Sequence, residues 1–326
     1  MTTAAGFLDV TWTEPNASDL TVNAQNQFGN DTGLHVQSKA GQWQLSIDES
    51  IAEVIRVSGT VGAQLSTSLG QSPIEGSIRL QCDDISRCNT FVEPWYSGAS
   101  SRALKGSIAL DFILNGTLGT PQVTGKMTTS SLGLNGTRPT NASARFTIDS
   151  TAITVDNFTV NLGANHLTSH GRFFWQSEMV EIDASAQFEQ LAEFQPIFQA
   201  DWFPTGLGRA HVTVKGPLES LSGRAHLQFR TVEIIGQHFD SVTIDLSNER
   251  STIILNELLL LRDRYEAKAI GWYDTDNATF SGSFETTDFP ITSSQSDSDA
   301  GIPIAAQLSM SLNMHGSIDD PNVNAS

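Results

Sequence analysis

Positive charge, cysteine and long apolar runs are all scarce in this chain. Of 326 residues, 18 are Lys or Arg against 36 Asp or Glu, for a formal net charge of −18. Phosphate backbones are bound by clustered Lys and Arg. No such cluster occurs, so nucleic acid is not expected as a partner. The negative charge is diffuse and reads as the solubility of a large surface. The longest apolar run, residues 253–261, is interrupted by Asn256 and Glu257, well short of the ~20 residues a spanning helix needs. The opening MTTAAGFLDVTW has neither the basic start nor the apolar core of a signal peptide. The closing DPNVNAS stops partway through a repeat. Both ends are therefore expected to be cuts through a longer protein, with Met1 added for expression and any membrane anchor outside this segment.

Catalytic groupings are also missing. His166 and His170 are four apart, which suits metal binding on one helix face, but they fall in strand-like sequence where the two positions lie far apart. Asp83–Asp84 and Asp319–Asp320 read as loop residues rather than a glycosidase pair. GTLGTP (116–121) and GSIDDP (316–321) lack the lysine and the following helix of a phosphate loop. Trp95, Trp175, Trp202 and Trp272 could stack on sugars, but strand tryptophans more often fill a core. No enzymatic activity, cofactor or metal site is expected.

The two cysteines, Cys82 and Cys88, flank a short polar turn in LQCDDISRC. They could stay free thiols in a reducing compartment or bridge the loop in an oxidising one. The disulfide is the reading adopted. Zinc would need further soft ligands at nearby spacing, and none follows.

What the chain has in quantity is alternation. Apolar and polar residues exchange places with a period of two, the mark of half-buried strands. Ile108, Leu110, Phe112 and Leu114 share one face of a strand because side chains alternate across the pleat. Phe146 and Ile148, then Phe158 and Val160, continue the pattern. In a second stretch, Val212, Val214, Leu227 and Phe229 alternate in the same way, as do Ile244 and Leu246, and a third begins with Leu308, Met310 and Leu312. The period changes only near FEQLAEFQPIF, where Leu191, Phe194 and Phe198 have helix-like spacing and Pro196 limits any helix to a turn or two.

The alternation is itself repeated. Gly116, Gly216 and Gly316 are 100 residues apart, as are Gly171 and Gly271. A fixed spacing of turn glycines signals a repeat architecture. It divides the chain into a divergent N-terminal repeat (1–105), two full repeats (106–205 and 206–305) and the start of another (306–326). Each strand offers one apolar face, and no long helix exists to cover it, so the sheet must curl. A closed barrel, a sandwich, a solenoid or a trough would each satisfy that need. Several strands per repeat, adding along one axis, fit the long period best.

The residues GTLGTPQVTGKM (116–127), ITVDNFTVNLGANHLTSHGRF (153–173) and GSIDDPNV (316–323) resemble the AsmA-like superfamily, with TamB-type proteins of diderm bacteria nearest and YhdP-type proteins close by. The LAEFQPIFQADWFPTGLG segment is similar to the short helical links of such repeats. The second repeat departs from the pattern, because Gly216 is followed at once by Pro217. The resemblance covers about residues 75–326. It implies an elongated antiparallel sheet curled into a U-shaped groove, a β-taco. It further implies a periplasmic bridge from inner to outer membrane, phospholipid as cargo, a role in outer-membrane biogenesis, and an outer-membrane barrel of the TamA class as partner. On this reading the seventeen alternating residues named above, from Ile108 to Leu312, line the groove. The rivals are an adhesin-like stalk of closed β-sandwich repeats, an outer-membrane assembly factor and a polysaccharide-acting β-solenoid. Clustered exposed carboxylates would support the last, and none are evident.

Overall fold

The computed structural model describes residues 20–25, 31–39, 42–51, 55–64, 66–85, 104–134, 140–195, 204–234, 236–293, 304–318 and 320–326. The protein is all-β and antiparallel, with short 3-10 turns the only helical structure named among these residues. Contacts divide it into two compact units, Met1–Phe158 and Thr159–Ser326.

The first unit contains β1 (Leu20–Gln25), β2 (Asp31–Lys39), β3 (Gln42–Ile51), β4 (Ile55–Gln64), β5 (Ile74–Cys82), β6 (Leu104–Thr117), β7 (Thr120–Leu134) and β8 (Thr140–Ile148). Each pairs with the next in chain order. The division between units falls within β9 (Ala152–Leu162). The second unit contains β10 (Asn165–Phe174), β11 (Met179–Phe188), β12 (Thr205–Pro217), β13 (Ser222–Ile234), β14 (Gln237–Glu249), β15 (Thr252–Arg262), β16 (Tyr265–Asp274), β17 (Thr279–Ser293), β18 (Ile304–Ser317) and β19 (Pro321–Ala325). These also pair strictly in sequence. The order is that of an open meander, not closed into a barrel.

The 100-residue spacing of the sequence is written into the backbone. Positive φ angles recur at Gly106 and Gly206, at Gly116, Gly216 and Gly316, at Ser131 and Thr231, at Gly163 and Asp263, and at Glu178 and Ala278. Six strands fill one period, from the start of β6 at Leu104 to the start of β12 at Thr205 and of β18 at Ile304. The last of the turn glycines shows why the spacing is kept. Gly316 has φ 130° and a Cβ there would sit 2.7 Å from the Asp320 carbonyl oxygen, so only glycine passes through this turn without strain.

The 3-10 turn Leu191–Phe194 stands where the helix-like spacing suggested a short helix. Asn165 holds it in place. Its amide donates to the Leu162 and Gln190 carbonyls and to the Glu193 carboxylate, and its oxygen accepts from the Glu189 and Gln190 backbone N–H groups. Buried polar groups persist only when partnered in this way. Cys82, at the end of β5, is 2% exposed and disulfide-bonded. Cys88, expected as its partner, lies outside the described residues.

Candidate functional site: an apolar sheet face in each unit

Residues paired directly across an antiparallel ladder lie on the same face of the sheet, so the registers decide which side chains meet. In the first unit, Leu110 pairs with Leu80 and Met127, and Met127 with Ala144. Phe112 pairs with Ile78 and Gly125, and Gly125 with Phe146. Leu114 leads through Val123 to Ile148, and Ile108 pairs with Cys82. The row continues through β4, where Ile55, Val57 and Val61 pair with Cys82, Leu80 and Gly76. Ile108, Leu110, Phe112, Leu114, Phe146 and Ile148 therefore share one face.

The second unit repeats the arrangement. Val212 and Val214 pair with Ala184 and Ile182 on one side and with Ala225 and Gly223 on the other. Leu227 pairs with Ile244, Ala225 with Leu246, and Phe229 with Val242. Leu312 pairs with Phe284, Met310 with Thr286 and Leu308 with Phe289. Followed across the ladders from β12 to β18, Val212, Val214, Leu227, Phe229, Ile244, Leu246, Leu308, Met310 and Leu312 lie on one face.

One irregularity keeps that face apolar. On β15 the register shifts between Leu255 and Leu258, so that Asn256 and Glu257 form a bulge. A bulge flips the alternation, and here it returns Leu258 and Leu260 to the side of Leu255. On β9 the exposed pair Asp156–Asn157 stands just before Phe158 and Val160, 100 residues ahead of Asn256 and Glu257. Phe158 and Val160 are two residues apart and so share one side of their strand.

All seventeen of these residues are half-buried; none is sealed and none is fully exposed. Five fully buried apolar side chains gather at one margin of the second unit. There Val232, Phe239, Val242, Ala267 and Phe289 form a cluster, with Tyr265 and Phe284 against it. Further along the same face lies an open recess of about 530 Å³, lined by Leu255, Gly271, Tyr273, Gly282, Phe284 and Met314 among others. Neither feature is visible as alternation, because the cluster depends on which strand ends meet and the recess on two glycines placed opposite each other. The cue for the recess in the sequence is Gly282, which stands one period after Ile182.

Aromatic rungs span glycines on this face. Phe112 and Phe146 meet edge-on over Gly125 at 5.9 Å, and Phe188 and Phe229 over Gly208 at 6.0 Å. The missing Cβ at the central residue is what lets the flanking rings approach.

The opposite face carries the charged and hydroxyl side chains, with Ile113, Ile270 and Trp272 exposed among them. Arg79 pairs with Asp111 at 3.5 Å, and the row continues through Lys126 and Arg145. In the second unit Ser185 Oγ lies 3.1 Å from His211 Nδ1, while His211 Nε2 is 3.5 Å from Asp183. His226, directly across from His211, is 3.8 Å from Asp245. His166 Nδ1 lies 2.6 Å from Asn161 Oδ1. The Lys268 ammonium is 2.9 Å from the Glu266 carboxylate, whose hydrogen bond and charge raise its pKa above the ordinary lysine value. Such exposed pairs contribute little to stability and serve as a wetted outer surface. Among the described residues, no group of three or more His, Cys, Asp or Glu side chains is placed to hold a metal ion. Nor, among them, is any helix long and apolar enough to cross a membrane.

No family model, curated protein or solved structure matches the chain.

Proposed function

We propose that this chain is a segment of a lipid conduit, holding phospholipid acyl chains against the apolar face of its sheet while the head groups stay in water. The half-burial of all seventeen alternating residues supports the reading: the face is shielded enough to be apolar and open enough to be reached. A lipid crossing water exposes its tails at about 0.8 kcal/mol per CH₂, which sums to roughly 10 kcal/mol for an acyl chain. An apolar face continuous from strand to strand removes most of that cost. Within the second unit the six strands β12–β17, at about 4.8 Å each, extend the face by roughly 29 Å. The sequence carries no nucleotide-binding loop, so movement along the segment is passive. By the resemblance to AsmA-like proteins, the conduit stands in the periplasm between two membranes and engages an outer-membrane barrel of the TamA class.

A stalk of closed β repeats is the second reading, and the packed cluster around Val232 and Phe289 is what favours it. Native mass spectrometry of gently purified protein separates the two. Phospholipid retained in stoichiometric amounts is expected for the conduit. Lipid-free protein after mild extraction would favour the stalk.

A further inference from the structure

We propose that Trp272 and the neutral side chains beside it on β17, β18 and β19 form a binding platform for a neutral glycan of equatorially linked pyranose rings. The platform lies on the side of the sheet away from the apolar face and does not depend on the conduit reading.

Side chains alternate across the pleat. Gly271 and Tyr273 belong to the apolar face, so Ile270 and Trp272 project from the other side of β16. There Ile270 is 56% exposed and Trp272 44% exposed, so this strand tryptophan fills no core. The preceding repeat shows that the fold does not require apolar residues here. One period earlier Arg172 faces Glu181 and His170 faces Asp183 across β10 and β11, and Glu181 faces Lys215 across β11 and β12. In their places Trp272 faces Ser281, Ile270 faces Ser283, and Ser281 faces His315. An ionisable patch has been exchanged, position by position, for an exposed indole edged by hydroxyls.

The face of an indole is electron-rich and packs against C–H groups. In an equatorially linked pyranose the axial C–H bonds make up the two flat faces, and the hydroxyls lie around the rim. A ring stacked on Trp272 brings its rim over Ser281 directly opposite, then His315 on β18 and Asn322 on β19. Hydroxyl, neutral imidazole and amide groups each supply both a donor and an acceptor, as sugar hydroxyls require. Among the described residues these three side chains spend no hydrogen bond within the protein. From Trp272 to Asn322 the row crosses three strand spacings, about 14 Å. The neighbouring row runs Ile270, Ser283, Asn313 and Asn324. From β16 to β19 neither row holds an Asp, Glu, Lys or Arg. Charge returns only at the borders, with Glu257 on β15, the Lys268–Glu285 pair and Asp274. An ionic ligand therefore finds no counter-charge inside the patch. Two exposed apolar side chains are also few for a stable protein interface, which covers about 800 Å² on each partner.

The intact chain, labelled with 5-fluorotryptophan, is titrated with cellohexaose and with chitohexaose and followed by fluorine NMR. Of its six tryptophans, Trp272, assigned with Trp272→Phe, should show the largest shift. In calorimetric titration Trp272→Ala should weaken binding by about tenfold, the equivalent of ~1.4 kcal/mol, and Trp272→Tyr should retain most of it. Trp272→Arg with Ser281→Glu, which restores the residues of the preceding repeat, should abolish binding and covers the case in which Trp272→Ala fails to fold. A Trp272 resonance moved by neither sugar, or an affinity unchanged in either folded variant, would overturn the proposal. So would a Trp272 resonance that moves with protein concentration alone, because a second copy of the chain would then cover the patch. Lipid crosslinking at position 244, on the other face, tests the conduit reading separately and should be the same in all these variants.

Discussion

The rings of Phe239 and Phe289 meet with centroids 6.1 Å apart, although the whole β15–β16 hairpin lies between their strands in the ladder. On a flat sheet β14 and β17 would stand about 14 Å apart. Curvature toward the apolar side, with both rings leaning over the hairpin tip, closes that distance. This contact belongs to the packed cluster at one margin of the second unit.

Phe289 is 7% exposed within that cluster. Its replacement by alanine should destabilise the protein by about 3–5 kcal/mol, the usual range for a buried ring lost from a packed site. Equilibrium urea unfolding of Phe289→Ala measures this. A loss below about 1 kcal/mol would mean the margin is not packed as described.

The aromatic rungs predict a coupled pair. A Cβ at Gly208 would collide with the Phe229 ring, so Gly208→Ala should cost about 1–3 kcal/mol through overpacking. Adding Phe229→Leu should recover part of that loss, giving a non-additive double-mutant cycle. Strict additivity would show that the ring and the glycine are independent.

Asn165 is 3% exposed and satisfies the Glu189 and Gln190 amides. Asn165→Ala leaves those N–H groups without their acceptor, at about 1–3 kcal/mol. Hydrogen exchange at Glu189 and Gln190 should accelerate, with distant strands such as β14 unaffected. Unchanged protection would remove Asn165 from its role as the anchor of the Leu191–Phe194 turn.

Asp149 accepts from the Thr151 hydroxyl at 2.6 Å, from the Thr151 N–H at 2.7 Å and from the Ala152 N–H at 2.9 Å. These bonds, the hydroxyl's first, hold its carboxyl below the usual aspartate range. A carboxyl depressed in the folded state contributes stability above its unfolded pKa of about 3.9, and that contribution disappears as pH falls through the lower folded value. Thr151→Ala should raise the Asp149 pKa toward the ordinary value, read by NMR titration of the carboxyl carbon. A titration unmoved by the substitution would contradict the assignment of cause.

Much of the fold is legible in the sequence because the controlling quantity is local. Alternation marks the strands, and turn glycines such as Gly116 and Gly216 mark the period. Ile244 and Leu246 can be placed on one side because no bulge interrupts β14 between them. The bulge at Asn256–Glu257 could not be placed with the same ease. In the sequence it is only a polar pair in an apolar run, and its effect on face depends on what the neighbouring strands do. The Phe239–Phe289 contact and the Gly271–Gly282 floor were less legible still. Both arise from residues brought together by register and curvature, which no single strand encodes. Asn165 is similar: one asparagine among many in a turn-rich sequence, distinguished only by the five hydrogen bonds that the folded chain supplies.

Consecutive positions on β14 test the central claim most directly. p-Benzoylphenylalanine placed in turn at Thr243, Ile244, Asp245 and Leu246, in protein incubated with phospholipid vesicles and irradiated, reports which side of the strand lipid reaches. Crosslinks at 244 and 246 with none at 243 and 245 are the result that a lipid-accessible apolar face predicts. Labelling confined to 243 and 245, or absent from all four in a folded protein, would contradict it.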